Sequence, residues 1–189
     1  MFERKGSQVA DMLSGEGSGP HGFVCYAHKD REIVVQYIEW LNAHGFNLWY
    51  DDGLSGGSRW TDELANVIGS SNCVLYFISA HSMQSKYCLD EIQFAKDHDV
   101  PILPVKLDDV ELTPGLRLML GAIQILSAAS GSRAEARKKI AAAMSRIVQQ
   151  GASLERETST REQPSSNRAW MIKALAGLLG LICGLVAFT

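Results

Sequence analysis

Five short apolar runs alternate with segments of helical spacing over the first 150 residues of the chain. The runs occupy 22–26, 46–50, 73–78, 100–105 and 122–126. Between them, apolar side chains recur three and four residues apart, as they do on one face of an amphipathic helix. Strands that alternate with helices are typical of a parallel sheet covered by helices on both faces. The pattern therefore predicts a single α/β domain.

The segments between the runs predict helices at 30–44, 60–70 and 85–96, and the segment after the last run predicts a closing helix at 134–148. Asp30 is expected to cap the first helix and Gly45 to follow its end. The third run is continuously apolar, which is typical of a buried central strand. Pro101 and Pro104 cannot donate backbone hydrogen bonds, so the fourth strand is expected nearer the edge of the sheet. Residues 107–121 show no regular pattern and are predicted to be irregular.

Both ends of the chain differ in composition from this domain, which we place at 20–150. Residues 1–19 lack the apolar core of a signal peptide and contain a Ser/Gly run, so they predict a flexible leader. Residues 151–168 are rich in Ser, Thr, Glu, Arg and Gln, which indicates a solvated linker. Residues 169–188 are apolar except for Lys173, and about 20 such residues suffice to cross a hydrocarbon layer of about 30 Å. We expect this last segment to be a transmembrane helix.

Positive charge on one side of the apolar tail predicts its orientation. Arg161, Arg168 and Lys173 all lie on the N-terminal side, so the positive-inside rule predicts a single-pass membrane protein with its N-terminal domain in the cytoplasm. Ala176, Gly180 and Gly184 have the small-xxx-small spacing that lets membrane helices pack together. A buried amphipathic helix or a dimerisation helix in water is the alternative, although the tail has no polar face.

Composition narrows the possible classes of protein. With 46% hydrophobic and 21% charged residues the domain can build a core without disulfides or metals. A net charge of -3 gives no reason to expect a nucleic acid partner. The four cysteines have no CxxC spacing and predict buried or membrane-facing thiols in a reducing compartment. No Walker motif, GxGxxG fingerprint or metal-ligand cluster is present, so no metal is expected.

Four motifs in order along 22–148 carry a resemblance to a known family. The run FVCYAHKD at 23–30 resembles a first strand usually written "FISYS", and HGF with WYDD at 44–52 resembles a second strand. The glycine-rich stretch 53–58, with Trp60 and Glu63 after it, resembles a mobile loop and the helix that follows. Ser79 and SKYCLDEI at 85–92 match a box written "S-x-W-C-x-x-E-L". The chain thus resembles the TIR (Toll/interleukin-1 receptor) domains, and its small size resembles the prokaryotic type.

The resemblance implies a flavodoxin-like fold, a five-stranded parallel sheet with strand order 2-1-3-4-5. Ligands of such sheets bind beyond the carboxyl ends of the strands, at the switch point beside the first strand. The boxed residues fall on that edge. The candidate binding residues are Ala27, His28, Asp51, Asp52, Gly53, Ser85 and Tyr87.

The resemblance further implies cleavage of NAD+ between nicotinamide and ribose, with Glu91 as the essential carboxylate and NAD+ as substrate rather than cofactor. Nicotinamide leaves as a neutral molecule, while the ribose develops oxocarbenium character that a carboxylate can stabilise. At ~4 Å and an effective dielectric of ~20 this attraction amounts to about 4 kcal/mol, or roughly a thousandfold in rate. Because an unperturbed Glu has a pKa of about 4.3, Glu91 is expected to be ionised without tuning.

Each candidate side chain also has a plainer interpretation. An isolated Glu91 would be a solvated helix charge, and His28 would be an ordinary turn residue rather than a phosphate or ribose contact. Asp51 and Asp52 either bind ribose hydroxyls or cap the loop. Tyr87 lies four residues before Glu91, hence on the same helix face, and stands where the family usually has Trp. A Tyr ring can stack on a base or nicotinamide with less area.

Three functions remain open at this stage. The first is a membrane-tethered NAD+ hydrolase or cyclase that serves as the output of prokaryotic antiviral defence and works in assemblies joined by the glycine-rich loop. The second is a non-catalytic adaptor that acts through contacts between TIR domains. The third is a membrane-disrupting effector in which assembly clusters the tails. Retention of the boxed Glu91 favours the enzyme.

Overall fold

A five-stranded parallel sheet with the order β2-β1-β3-β4-β5 forms the centre of the protein. The computed structural model describes residues 21–51 and 58–161. The strands are β1 (His21–Cys25), β2 (Asn47–Tyr50), β3 (Cys73–Ile78), β4 (Ile102–Lys106) and β5 (Leu126–Ser127). Every neighbouring pair is parallel. The predicted strand order is therefore confirmed.

Within residues 21–51 and 58–161, five helices connect and cover the strands. They are α1 (Arg31–Ala43), α2 (Ser58–Ser70), α3 (Lys86–Asp97), α4 (Pro114–Leu120) and α5 (Arg133–Arg161). Short 3-10 turns at His28–Asp30 and Ser82–Gln84 lie before α1 and α3. Side chains of α2, α3 and α4 pack in one apolar cluster, and those of α1 and α5 pack in a second. The prediction of helices on both faces of the sheet is confirmed.

The central strand β3 is buried along its whole length, as its apolar run predicts. Successive side chains of a strand point to opposite faces, so Tyr76 enters the cluster of α2 to α4 and Phe77 enters that of α1 and α5. Cys25, Cys73 and Cys88 are free and buried, which confirms the prediction for these three thiols. The remaining cysteine, Cys183, lies outside the described residues.

The prolines of the fourth run are accommodated because β4 has little to pair with on its outer side. Pro104 is opposite Tyr76 of β3. The neighbouring strand β5 pairs only with Val105 and Lys106, which come after the proline. β4 is accordingly second from the edge, in agreement with the prediction.

Several local features differ from the sequence prediction. Residues 107–121 were expected to be irregular but contain α4, where the Thr113 hydroxyl accepts a hydrogen bond from the Leu116 N–H at 3.3 Å and Pro114 occupies the first turn. Such a Thr-Pro start is a recognised helix signal. The fifth strand is two residues long, at Leu126–Ser127, rather than 122–126. Asp30 precedes α1, but its side chain makes no capping hydrogen bond.

The chain divides into two compact units, Met1–Gly151 and Ala152–Thr189. In the second unit only 152–161 are described, and they are helical, as part of α5. The closing helix was predicted to end at 148, whereas α5 continues to Arg161. It therefore extends into the segment 151–168, which was predicted to be a linker. Across the described ranges no helix is both long and apolar enough to span a bilayer. The predicted leader at 1–19 and the predicted membrane segment at 169–188 lie outside those ranges.

Candidate functional site

The exits of β1 and β2 lie side by side at the carboxyl edge of the sheet, because the two strands are parallel neighbours. His28 follows β1 and Asp51 follows β2, and the His28 Nε2 atom lies 4.0 Å from the Asp51 Oδ2 atom. The Tyr26 hydroxyl donates a hydrogen bond to the backbone carbonyl of Asp51 at 3.0 Å. Two of the predicted binding residues are thus brought together at the switch point.

The other predicted binding residues have different surroundings. Ala27 is buried, and its carbonyl accepts a hydrogen bond from the Asp30 N–H at 2.8 Å, which closes the turn after β1. Ser85 caps α3, with its hydroxyl accepting a hydrogen bond from the Cys88 N–H at 3.4 Å. The side chain of Tyr87 is 82% exposed. Asp52 and Gly53 lie outside the described residues.

Glu91 lies on α3, partly buried against the end of β1. The pKa of its carboxyl is raised to about 8, mainly by burial; a hydrogen bond with Cys25 lowers it, and the charges of Cys88, Asp51 and Asp90 raise it by smaller amounts. At pH 7 only about one molecule in ten therefore carries the ionised form. The expectation that Glu91 needs no tuning is wrong, because the fold takes the carboxyl out of water.

A buried carboxyl with a strongly raised pKa is not a solvated helix charge. Such groups concentrate at functional sites, because retaining them lowers the stability of the folded protein. The charge of Asp51, at the exit of β2, is near enough to act on the pKa of Glu91. The structure therefore gathers Glu91, Asp51 and His28 around one edge of the sheet.

Two thiols and a phenol lie buried beside Glu91. The Cys25 thiol donates a hydrogen bond to the backbone carbonyl of Cys88 at 3.6 Å. Burial raises the pKa of Cys25, whereas the hydrogen bond from Cys25 lowers that of Cys88. Burial raises the pKa of the Tyr76 hydroxyl and the nearby Ser82 side chain lowers it by less, while the hydroxyl reaches hydrogen-bond geometry with no group in the described ranges.

From the sequence, Cys25 and Cys88 could suggest a Cys/His nucleophile with His28 or His81, but buried structural thiols are favoured, and their position beside Glu91 was missed. The signal was available, since Cys25 ends the first strand and Cys88 lies one helical turn before Glu91.

A second network that the sequence did not reveal fixes the turn between β3 and α3. The Ser79 hydroxyl donates to the Asp30 carboxylate and accepts hydrogen bonds from the backbone N–H groups of His81 and Ser82 at 3.1 and 3.0 Å. The Ser82 hydroxyl accepts a hydrogen bond from the Ser79 N–H at 2.9 Å. Because Asp30 lies just before α1 and Ser82 lies just before α3, this network joins two sides of the site.

Replacing Ser79 with alanine is expected to lower the free energy of unfolding by about 1–3 kcal/mol, because buried N–H donors and the Asp30 carboxylate lose their partner. Urea denaturation followed by circular dichroism measures the change. Ser70→Ala is the matched control, since that hydroxyl is on an exposed residue and donates a hydrogen bond to the Val67 carbonyl within its own helix. Equal destabilisation by the two substitutions would contradict the structural role assigned to Ser79.

An open cavity of about 540 Å³ lies beside α1 and the turn that precedes it. His28 lines it together with charged side chains that include Lys29, Arg31 and Glu32. Glu91 does not line this cavity. The candidate site is therefore defined by the residues that carry its chemistry and not by the position of this cavity.

The family model described as "TIR domain" matches residues 23–148 of the chain. The match covers β1 to β5, α1 to α4 and most of the part of α5 that lies in the first unit. The chain belongs to the TIR domain family. No curated protein matches the sequence.

Solved structures with a similar fold come from animals and bacteria. The TIR domain of the Toll-related receptor TRR-2 of Hydra magnipapillata is 20% identical, with a TM-score of 0.49 over 57% of this chain and 82% of that one. A TIR-STING receptor from C. gigas is 22% identical, with a TM-score of 0.50 over 66% of this chain and 40% of that one. The CMP N-glycosidase BcmB of Clostridium botulinum is 16% identical, with a TM-score of 0.49 over 64% and 96% of the two chains. Likeness at these identities concerns the fold alone.

Proposed function

We propose that this TIR domain cleaves the bond between nicotinamide and ribose in NAD+, with Glu91 as the catalytic carboxylate. The observation that carries the proposal is the position of Glu91, a buried carboxyl with a pKa raised to about 8 at the ligand-binding edge of the sheet. Membership of the TIR family, in which this boxed Glu is associated with NAD+ cleavage, supports the same assignment.

The reaction needs little more than a carboxylate close to C1′ of the ribose. The nicotinamide ring of NAD+ is positively charged, so its arrival favours the ionised form of Glu91. The C1′–N bond breaks with its electron pair going to the ring nitrogen, which makes nicotinamide a neutral leaving group. The ribosyl cation is stabilised by the carboxylate in a site of low dielectric.

Two products are compatible with this step. Water that adds to the ribosyl cation gives ADP-ribose and releases a proton, whereas attack by the adenine or by a ribose hydroxyl of the same molecule gives a cyclic product. The choice depends on how the bound NAD+ is folded and on how much water enters the cleft.

The neighbouring residues suit the rest of the substrate. In this proposal the Asp51 carboxylate accepts hydrogen bonds from ribose hydroxyls, and His28, which is about half exposed, contacts a phosphate or ribose oxygen; the proximity of these two side chains supports both roles. Tyr87 offers an exposed ring for stacking at the start of α3. Asp52 and Gly53 complete the proposed binding set, with no metal and no separate cofactor.

The proposal extends to the cellular setting. Residues 169–188 tether the domain to a membrane with the TIR domain in the cytoplasm, where self-assembly with other TIR domains turns on NAD+ consumption in defence signalling. A tether raises the effective concentration of assembly partners. No nucleic acid partner is involved.

Cells that express the chain or its Glu91→Ala variant provide the test, with cellular NAD+ and membrane potential as readouts. NAD+ loss is expected with the unaltered chain and with Asp90→Ala, a matched variant at the exposed neighbouring carboxylate, but not with Glu91→Ala. NAD+ loss that persists without Glu91 would refute its catalytic role.

The same experiment separates the alternative functions. If no form consumes NAD+ even when assembled, the domain acts as a non-catalytic adaptor. Depolarisation that needs residues 169–188 but not Glu91 would identify a membrane-disrupting effector. Extraction with alkaline carbonate tests the tether, because a chain that is released into solution does not span the membrane.

A further inference from the structure

We propose that Cys25 is a positioning residue for Glu91, whose S–H group holds the ionised carboxylate in place for the reaction. This inference rests on the proposed function for its catalytic consequence. The interaction itself concerns only the buried contact between β1 and α3.

The thiol of Cys25 is placed by the sheet, not by a loop. Cys25 is the last residue of β1, is opposite Tyr76 of β3 and is fully buried. Its sulfur lies 3.6 Å from the carbonyl oxygen of Cys88. Helix carbonyls point toward the C-terminal end of the helix, so this oxygen faces the turn that carries Glu91. Cys88 lies one helical turn before Glu91, on the same face of α3, so the thiol lies beside the turn that carries Glu91, and each of the two groups influences the titration of the other.

A thiol has one proton and here has two acceptors, the Cys88 carbonyl and the Glu91 carboxylate. A hydrogen bond to an ionised acceptor is stronger than one to a neutral acceptor. When Glu91 is neutral, the S–H group donates its hydrogen bond to the Cys88 carbonyl. When Glu91 is ionised, a hydrogen bond from the S–H group to the carboxylate is the stronger of the two. Cys25 therefore stabilises selectively the form of Glu91 that the reaction needs.

The groups that face Glu91 come from every element packed around it, and they oppose one another. Desolvation by burial disfavours the ionised form, as do Cys88 and Asp90 on α3 and Asp51 after β2. Tyr76 of β3 is also close enough for Glu91 to influence its titration. Of the groups that act on Glu91 in the described part of the chain, Cys25 is the one that favours ionisation.

Cys73 provides an internal comparison. It is equally buried, at the start of β3, but it packs in the cluster of α1 and α5 on the other face of the sheet. Burial alone raises its pKa to about 12. Cys73 is therefore a core thiol whose pKa is affected by burial and not by a neighbouring carboxyl. It supplies the matched control.

The test is a titration of Glu91 by NMR of carboxyl-labelled glutamate, with the resonance assigned from Glu91→Gln, in the full chain and its variants. Cys25→Ala is expected to raise the titration midpoint by about one pH unit, which is tenfold in the ionised fraction at neutral pH. Cys25→Ser, which keeps a donor and restores the Ser of the family motif, is expected to return the midpoint to its original value or below it. Cys73→Ala is expected to leave it unchanged.

Kinetics provide a second readout of the same variants. The kcat/KM of Cys25→Ala for NAD+ is expected to fall about tenfold at pH 7 and to recover above the new midpoint, since Glu91 ionises there without help. A packing defect would lower kcat/KM at every pH. If Cys25→Ala does not fold, Cys25→Val fills the space without a donor and takes its place.

The outcomes separate this inference from the proposed function. An unchanged Glu91 midpoint in Cys25→Ala, or an equal shift in Cys73→Ala, would overturn the positioning role. If the unaltered chain does not cleave NAD+, the proposed function fails, while the NMR titration still decides whether Cys25 acts on Glu91.

Discussion

Replacing Glu91 with glutamine is expected to slow nicotinamide release about a thousandfold at about pH 8, in a domain that remains folded. Glutamine has nearly the shape of glutamate and preserves the packing of α3 against β1, so the substitution removes charge and little else. The amide cannot offer a full negative charge to the ribosyl cation, and that electrostatic attraction is the part of catalysis that we assign to Glu91.

The measurement is the rate of nicotinamide release from NAD+ by the purified full chain in assembled form, followed by chromatography. Asp90→Asn is the matched control, because it makes the same chemical change one residue away on an exposed side chain. It is expected to change the rate by less than about threefold, since the exposed Asp90 has the smallest of the charge effects on Glu91. A Glu91→Gln rate within tenfold of the unaltered chain would show that another group carries the reaction.

Much of the fold follows from the sequence because its signals are local. The alternation of apolar runs with helical spacing predicts a parallel sheet, and the motifs then predict its order, which the structure confirms. Once the order is known, His28 and Asp51 must be neighbours, because they follow adjacent parallel strands. The short helix α4 was missed although its start at Thr113 and Pro114 was visible in the sequence.

The features that the sequence did not predict depend on contacts between distant elements. The pKa of Glu91 is set by how closely α3 packs against β1, and no spacing within one helix reports that distance. Asp30 has the sequence position of a helix cap, but its carboxylate accepts a hydrogen bond from Ser79 instead, 49 residues away. The fifth strand is limited to the two residues that pair with β4, and this pairing is not visible in the apolar run itself.

Glu91→Gln is also expected to make the domain more stable, and increasingly so as the pH rises. The folded-state pKa of Glu91, about 8, lies above its unfolded value of about 4.5. Between these values the folded protein retains a proton that the unfolded chain has lost, so its stability relative to the glutamine variant declines with pH. The difference between the two proteins is near zero below the unfolded pKa and reaches its maximum above the folded pKa.

The midpoint of thermal unfolding of the two proteins, measured at about pH 5 and about pH 8.5, tests this expectation. At the higher pH the variant is expected to gain on the order of 2 kcal/mol, or several degrees in Tm, and much less at the lower pH. Comparing the two proteins at each pH cancels the titration of all other groups. Asp90→Asn again serves as the control, because it makes the same chemical change on an exposed side chain and leaves the Glu91 carboxyl in place.

A gain in stability together with a loss of activity in the same variant would be the expected signature of a residue kept for chemistry. Burying a carboxyl beside Asp51 and Asp90 lowers the stability of the fold, and selection for folding alone would favour a neutral side chain at this position. A variant that is less stable at both pH values would instead mean that Glu91 makes a structural contribution, and the raised pKa would then lose its value as evidence for catalysis.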